Sequence, residues 1–435
     1  MMKLIKNMVI TKIDSGYLMI NSLNGLVDIV NESTLEIVKK WHDMDHIETV
    51  NEIEQELFGA LTARGYMCFS EDEEKEQKDK IILALRERYN KIQARTSSLT
   101  FVMTYNCNFR CPYCFEAAND NPNEAYINEE HIDAALEIAG KDLVHIGLFG
   151  GEPLLPRNRK SIEYLISKAP DKKYSIITNG YYLDRYIDLF SNIDISYVMV
   201  TLDGGKATHD RRRVLANGEP TFDIILKNIQ NCLEHNIPIR IRMNIDRENL
   251  NESIELKNLL VSSLKGTANN LSFEISPLMD IRLDERNRLF QSLFNNERTT
   301  DQCRFHNEFL SRTSPIINSL INGEKLRPIY SFCDAHESGL IVDPQGLIFP
   351  CLVSVGKRPL AIGTYYPEVR YFNNSIRNRN IETIEKCHDC SLSLLCGGGC
   401  PVKLDSYVDI HRPECSSIVN DIYNLLPLLL KTKEQ

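Results

Sequence analysis

The chain has 435 residues, 43% of them hydrophobic, and a formal net charge of −10; this length exceeds one ordinary core and predicts two or three domains. The acidic balance, with one short basic run at Arg211–Arg213, speaks against a nucleic-acid partner, because phosphate binding calls for basic surfaces. No stretch approaches the roughly 20 apolar residues of a membrane span, and the opening MMKLIKNMVITKID has no signal-peptide pattern, so the expectation is a cytoplasmic protein with no membrane contact.

The first segment reads as a small α/β module. Alternating residues in "MVITKID" and "YLMINSL" flank Asp14-Ser15-Gly16, and Asn24-Gly25 predicts a type I′ turn before "LVDIVN". Helical patterns run from Ser33, as N-cap, to Trp41 and from about Thr49 to Arg64. The charged stretch Glu71–Lys80 continues as "IILALRERYNKI" at helical spacing, which predicts a connecting helix with a boundary near Arg95.

From Leu99 the pattern changes. The apolar runs "LTFVMTY", "LVHIGLFGG", "YSIITNG", "ISYVMVTLDGG", "IPIRIRMNID" and "LSFEISPLM" alternate with amphipathic segments such as "TFDIILKNIQNCLEH". Repeated βα units predict an α/β fold with a parallel sheet, and six of them suit a partial (β/α)6 barrel. Chemistry in such folds gathers at the C-terminal strand ends, where Asn106-Cys107, Gly150-Gly151, Asn179-Gly180 and Asp203-Gly204 fall. Helical patterns follow from Asp284 to about Leu320, cysteines dominate from Cys333 to Cys415, and "SIVNDIYNLLPLLLK" reads as a C-terminal helix. The expected division is 1–95, 96–320 and 321–435.

Thirteen cysteines are many for a reducing compartment, where clustered thiols point to metal or catalysis rather than disulfides. Ten of them form two clusters. The first, Cys107, Cys111 and Cys114, is spaced Cys-x3-Cys-x2-Cys on one strand-end loop. Three thiolates and a water would suit zinc; in a cubane iron–sulfur cluster, each iron takes one protein ligand, so three cysteines leave one iron open.

With Tyr113 before the last cysteine, "GLFGGEP" after the second strand and "VTLDGGKATHDRRR" after the fourth, the chain resembles the radical S-adenosylmethionine (radical SAM) superfamily. The resemblance implies that S-adenosylmethionine chelates the open iron of a 4Fe-4S cluster and is cleaved to a 5′-deoxyadenosyl radical, which takes hydrogen from a C–H bond. It further implies that Gly150, Gly151 and Glu152 hold the methionine amino group, that Thr201 meets the ribose and that Arg213 meets the carboxylate. Asn179 is a further candidate contact, although an Asn-Gly turn explains it equally well. No general base is identified.

The second cluster reads Cys333-x12-Gly346-x4-Cys351, then Cys387-x2-Cys390-x5-Cys396-x3-Cys400, then Cys415. It resembles the SPASM extension of radical SAM enzymes, which implies two auxiliary 4Fe-4S clusters and three clusters in all. Cys387, Cys390, Cys396 and Cys415 would hold the distal cluster, and Cys333, Cys351 and Cys400 the proximal one. Zinc ribbons are the alternative, but the odd count and the x5/x3 spacing fit them poorly. Sulfatase-maturing relatives have a further cysteine where this chain has Gly339 and an aspartate where it has Leu352. The proximal cluster is thereby left open to a substrate thiolate, His336 or Glu337. Cys68, Cys232 and Cys303 read as structural.

The N-terminal module is similar to the winged-helix-like element that binds the leader of ribosomally made peptides; a plain cap on the barrel is the alternative. Together these features predict a peptide maturase that forms a thioether or carbon–carbon crosslink in a ribosomal precursor peptide, served by a flavodoxin- or ferredoxin-type electron donor. The competing readings are a sulfatase-maturase-like protein modifier, a small-molecule dehydrogenase and a zinc-binding interaction protein without redox chemistry.

Overall fold

A computed structural model of the chain describes residues 2–116, 125–263, 270–278, 282–296, 303–305, 313–333, 339–373 and 376–430. It divides into two compact units: Met1–Ile92 with Glu308–Asp334 and Asn378–Gln435, and Gln93–Asn307 with Ala335–Arg377. Both units are discontinuous along the chain, the first drawing on residues from its beginning and its end, the second taking 335–377 together with 93–307.

The first unit opens with β1 (Lys3–Leu4), followed by an antiparallel sheet of β2 (Met8–Ile13), β3 (Gly16–Asn21) and β4 (Val27–Val30). Helices Glu32–His42 and Glu52–Ala63 lead to β5 (Met67–Cys68), which pairs with β1, and then to helix Glu71–Gln93. Two local expectations are corrected. The first helix is capped by Asn31, whose Oδ1 accepts from Thr34 N–H at 2.9 Å, while the Ser33 hydroxyl only donates to that same oxygen at 2.8 Å. Asn31 keeps an extended backbone, the conformation in which a short side chain reaches the third helical N–H. The β3–β4 turn is also longer than a two-residue type I′: Gly25 has φ +75° but Asn24 does not share a positive φ, and Asn21 N–H closes the loop on Leu26 O at 2.9 Å.

The core of this unit explains why distant parts of the chain belong to it. Trp41, Met19 and Tyr66 are fully buried and cluster with Tyr330, Ile384 and Leu394. Polar ties supplement the apolar ones: Arg86 Nε donates to Glu382 Oε2 at 2.8 Å, and Thr11 Oγ1 donates to Ile422 O at 3.2 Å. The C-terminal helical run is not uniform. A π-helical segment, Asp421–Leu425, lies between Ser416–Asn420 and Leu426–Leu429, next to Pro427, which has no N–H to offer the preceding turn.

The second unit is built on one sheet. The six predicted strands are β6 (Ser98–Val102), β7 (His145–Phe149), β8 (Lys173–Thr178), β9 (Asp194–Thr201), β10 (Ile239–Ile245) and β11 (Leu271–Pro277), each parallel to the next. The α/β class and the six βα strands thus agree with the sequence reading. β12 (Cys303–Phe305) adds in parallel beyond β11, inside a stretch expected to be helical; it pairs the backbone edge that β11 would otherwise leave open. On the other flank β13 (Gly339–Val342) lies parallel to β6, and β14 (Leu347–Phe349), β15 (Gly363–Thr364) and β16 (Arg370–Tyr371) extend it antiparallel. β10 shows why the runs form strands: Ile239, Ile241, Met243 and Ile245 are buried, while Arg240, Arg242 and Asn244 between them are half-buried on the opposite face.

Truncating the largest core side chain tests the first unit. Trp41→Ala is expected to cost about 3–5 kcal/mol, read as a shifted denaturant midpoint by far-UV circular dichroism, since the chain's only tryptophan is removed.

Candidate functional site

In the second unit the loop after β6 is stitched to the loop after β7. Gly151 N–H donates to Thr104 O at 2.9 Å and Glu152 N–H to Asn106 O at 2.8 Å. A Cβ on Gly150 would stand 2.4 Å from Thr104 O, and one on Gly151 2.4 Å from Asn106 O; Gly150 also has φ +131°. Loop-on-loop packing alone therefore requires the Gly-Gly pair.

Glu152 is fully buried, and its carboxylate is occupied by the chain. Oε1 accepts from Leu154 N–H at 2.8 Å and from Thr178 Oγ1 at 2.7 Å, and Oε2 accepts from Asn179 N–H at 2.7 Å. Burial pushes its pKa up, and these three donors oppose the shift. The expected ligand residue is thus also a latch between the ends of β7 and β8. Asn179 has a double role as well: its Oδ1 closes a turn by accepting from Tyr181 N–H at 2.9 Å, and its Nδ2 donates to Asn108 Oδ1 at 2.8 Å and points at Cys107 Sγ, 3.8 Å away.

The three thiols of the first cluster share the loop that this framework holds. Phe109 N–H donates to Cys107 Sγ at 3.3 Å, and Cys114 N–H closes a turn on Cys111 O at 3.2 Å. Burial pushes the Cys107 thiol up to about 12. It also raises Cys111, against the downward pull of Arg213.

Arg213 and Tyr113, both singled out from the sequence, are brought together: Arg213 Nη1 donates to Tyr113 OH at 2.9 Å, and the Tyr113 hydroxyl bonds the fully buried Asp203. Asp203, read from the sequence only as a strand-end residue, is the partner that the sequence did not assign. Its Oδ1 accepts from Asn244 N–H at 2.9 Å, and Arg212 Nε lies 3.7 Å from Oδ2. Arg212 in turn pairs with Asp246 at 2.7 Å. His209 completes the support. Its Nδ1 accepts from Asp203 N–H at 3.3 Å, which places the ring proton on Nε2, 3.2 Å from Thr221 Oγ1. That hydroxyl donates to Arg213 O at 2.6 Å. Burial, with Arg213 nearby, lowers His209 to about 3, so the ring stays neutral. The one signal that could have found these groups is the "LDGGKATHDRRR" stretch itself, which carries Asp203, His209 and Arg212 within ten residues of one another. Thr201 ends β9, buried and in register with Arg242.

Whether the residues fit the implied groups is decided by their donor chemistry. Arg213 Nε is buried with no hydrogen-bond partner, as an anionic ligand such as a carboxylate would require. Three thiols on one loop, one of them accepting a backbone N–H, fit an iron–sulfur group, whose sulfurs are commonly tuned by such bonds. Among the described residues no three histidine, cysteine, aspartate or glutamate side chains stand close enough to hold a metal ion as placed. Thiol sites are drawn together as the metal binds and displaces their protons.

The second cysteine group is split between the units. Cys333, Cys387, Cys390, Cys396, Cys400 and Cys415 belong to the first unit and Cys351 to the second. Gly397, Gly398 and Gly399, between Cys396 and Cys400, have φ of +69°, +88° and +77°. A Cβ on Gly399 would stand 1.9 Å from Glu414 O and one on Gly397 2.4 Å from the Ser331 carbonyl carbon. The glycine run lets segments around 331, 398 and 414 close on one another. Burial pushes Cys387 up to about 11, with Cys390 and Cys415 adding to the shift, so these three thiols share a neighbourhood. In the second unit Gly339 opens β13 opposite Ser98; His336 and Glu337 lie outside the described residues. Cys68 and Cys232 are buried; the Cys303 side chain is outside the described set.

Glu152→Gln tests the latch. The amide places an N–H₂ against a donor, leaving a buried pair unsatisfied, and is expected to cost about 1–3 kcal/mol, read in urea titrations of the metal-free protein.

Residues 101–260 match the family described as the Radical SAM superfamily. Fe-coproporphyrin III synthase of Methanosarcina barkeri is 32% identical over 36% of this chain and 39% of its own length. The chain spans 39%, 51%, 37% and 47% of the first four curated relatives it matches. Radical SAM cyclopropyl synthase TigE of Paramaledivibacter caminithermalis is 23% identical across 98% of this chain and 94% of its own. Among solved structures, Streptococcus suis SuiB bound to precursor peptide SuiA shares the fold with a TM-score of 0.58 and 15% identity, covering 96% of this chain and 99% of that one. The segment that matches the radical SAM superfamily, residues 101–260, is the one that carries the strand-end cysteine loop on a parallel βα sheet.

Proposed function

We propose that the protein is a radical SAM peptide maturase that links two side chains of a ribosomal precursor peptide through a thioether or carbon–carbon bond. One observation carries the reading of the site: Arg213, buried with an unpartnered Nε, is held by Tyr113, Asp203 and His209 at the same strand ends as the Cys107–Cys114 loop. Cys107, Cys111 and Cys114 would hold a 4Fe-4S cluster, and Arg213 the carboxylate of S-adenosylmethionine. Gly150, Gly151, Asn179 and Thr201 would line the rest of that ligand. Glu152 would orient the amino-group end of the site through the loop it latches. When bound, S-adenosylmethionine on the reduced cluster supplies a carbon radical that takes a hydrogen atom from the substrate.

The peptide substrate is supported by the fold shared with SuiB, whose structure holds a precursor peptide. A second support is the N-terminal sheet, in which β4 is an edge strand, the kind of element to which a leader can add as a further strand. The name of TigE, a relative matched nearly end to end, favours carbon–carbon bond formation over a thioether. Segments 1–95, 96–320 and 321–435 would then serve leader recognition, radical chemistry and auxiliary electron transfer. Two auxiliary clusters on the second cysteine group would remove the second electron, with a flavodoxin- or ferredoxin-type protein as the donor. A working place in the cytoplasm fits this chemistry, and among the described residues no helix is long and apolar enough to cross a membrane.

The test is anaerobic reconstitution followed by mass spectrometry of a precursor peptide encoded beside the gene. A product lighter by two hydrogens supports the crosslink; uptake of zinc without iron and sulfide, or no cleavage of S-adenosylmethionine under reduction, overturns the reading. Cys111→Ala is expected to reduce cofactor cleavage to background. Arg213→Met is expected to weaken S-adenosylmethionine binding about tenfold to a hundredfold, the loss of one charge-assisted hydrogen bond, measured by calorimetry on the loaded protein. Cys387→Ala is expected to retain cofactor cleavage while losing crosslinked product.

A further inference from the structure

Two cations in the first unit are buried with no carboxylate at ion-pair distance among the described residues. Lys78, on helix Glu71–Gln93, is 7% exposed, and its Nζ donates to two main-chain carbonyls, His388 O at 2.7 Å and Cys390 O at 3.4 Å. Arg379 is 0% exposed. Its Nε donates to Ile410 O at 2.7 Å, Nη1 to Gly399 O at 2.6 Å, and Nη2 to Gly398 O at 2.6 Å and Arg412 O at 2.9 Å. Both side chains therefore end on the loops that carry Cys387, Cys390, Cys396 and Cys400.

A buried ammonium or guanidinium is costly unless an anion compensates it. Carbonyl oxygens satisfy the hydrogen bonds but do not neutralise the charge. Glu74, four residues before Lys78 on the same helix, is committed elsewhere, accepting from Lys6 N–H, Asn7 N–H and Asn7 Nδ2 at 3.0, 2.7 and 2.7 Å. The negative groups whose charge acts on Lys78 are, in order, Cys390, Asp389, Glu74 and Cys387, and those acting on Arg379 are Cys387, Cys400, Cys396 and Glu414, so thiols lead both sets with carboxylates beside them. No carboxylate pairs directly with either cation among the described residues, and a set of thiolates holding an iron–sulfur cluster would add anionic charge on the very loops where both side chains end.

Resting on the reading of the second cysteine group as an iron–sulfur site, we propose that Lys78, backed by Arg379, is its built-in counter-charge. Lys78 favours the more negative, reduced state of the cluster and so raises its potential, which makes the cluster a better electron acceptor. Arg379 additionally ties four main-chain carbonyls, so its removal would disturb the loops as well as the charge. Lys78, with two carbonyl contacts from a helix, is the cleaner reporter. It is a positioning residue in this sense, acting on the cluster through space and touching no substrate.

The experiment uses the full chain with Cys107, Cys111 and Cys114 all changed to alanine, so that any iron bound belongs to the second group. Iron and sulfide are counted, and midpoints are read by electron paramagnetic resonance during a redox titration. Lys78→Met is expected to shift at least one reduction equilibrium about tenfold toward the oxidised form, ~59 mV lower for a one-electron couple, or to lower iron loading. Lys78→Arg is expected to restore both. Unchanged loading and midpoints in Lys78→Met overturn the proposal, as does an equal loss in Lys78→Met and Lys78→Arg, which would mark a packing role rather than a charge. A parent protein that takes up no iron and sulfide overturns the iron–sulfur reading of the second group itself, an outcome distinct from loaded clusters with an unmoved potential.

Discussion

A charge removed from water must be solvated by the chain, and the site depends on how this protein meets that requirement. Glu152 is sealed at the end of β7, and the donors that stabilise its carboxylate come from its own loop and from the end of β8. Those donors arrive only if the strand ends are in register, so the carboxylate makes local geometry and electrostatics a single condition. The same holds for Asp203, whose partners come from Tyr113, Asn244 and Arg212. Each group fixes a different loop, and together they leave Arg213 presented at the strand ends with its buried Nε unpartnered.

The parallel sheet makes this economical. Every strand from β6 to β11 delivers its C-terminal end to the same edge, so residues far apart in sequence converge without long excursions of the chain. Glycine does the close work where two loops touch, as at Gly150 and Gly151, and where the segment between Cys396 and Cys400 must turn three times in the left-handed region. The first unit relies on a different device. Its apolar core around Trp41 recruits Tyr330, Ile384 and Leu394 from late in the chain, so a cysteine-rich stretch with little regular structure inherits stability from an N-terminal module that folds through ordinary helices and strands.

Much of this was legible in the sequence because the signals are local. A strand buried in a parallel sheet reads as a short apolar run, and six such runs named six strands; the helix from Glu71 onward announced itself by spacing. Cysteine spacing carried the candidate metal residues, since ligands on one loop must sit close along the chain. Where local signals compete, the reading slipped. Ser33 and Asn31 are both good caps, and backbone conformation chose Asn31. β12 is three residues long, too short to show a period of its own.

What the sequence by itself determined, then, is the α/β class, the order of the βα units and the residue types at the strand ends, because each follows from patterns within a few residues. Tertiary structure alone decided that Glu152 is a latch, that Asp203, His209 and Thr221 support Arg213, and that Lys78 and Arg379 end on the cysteine loops. Those facts depend on which distant backbone carbonyl or N–H each charged group meets, and burial makes that meeting obligatory without any local pattern to record it.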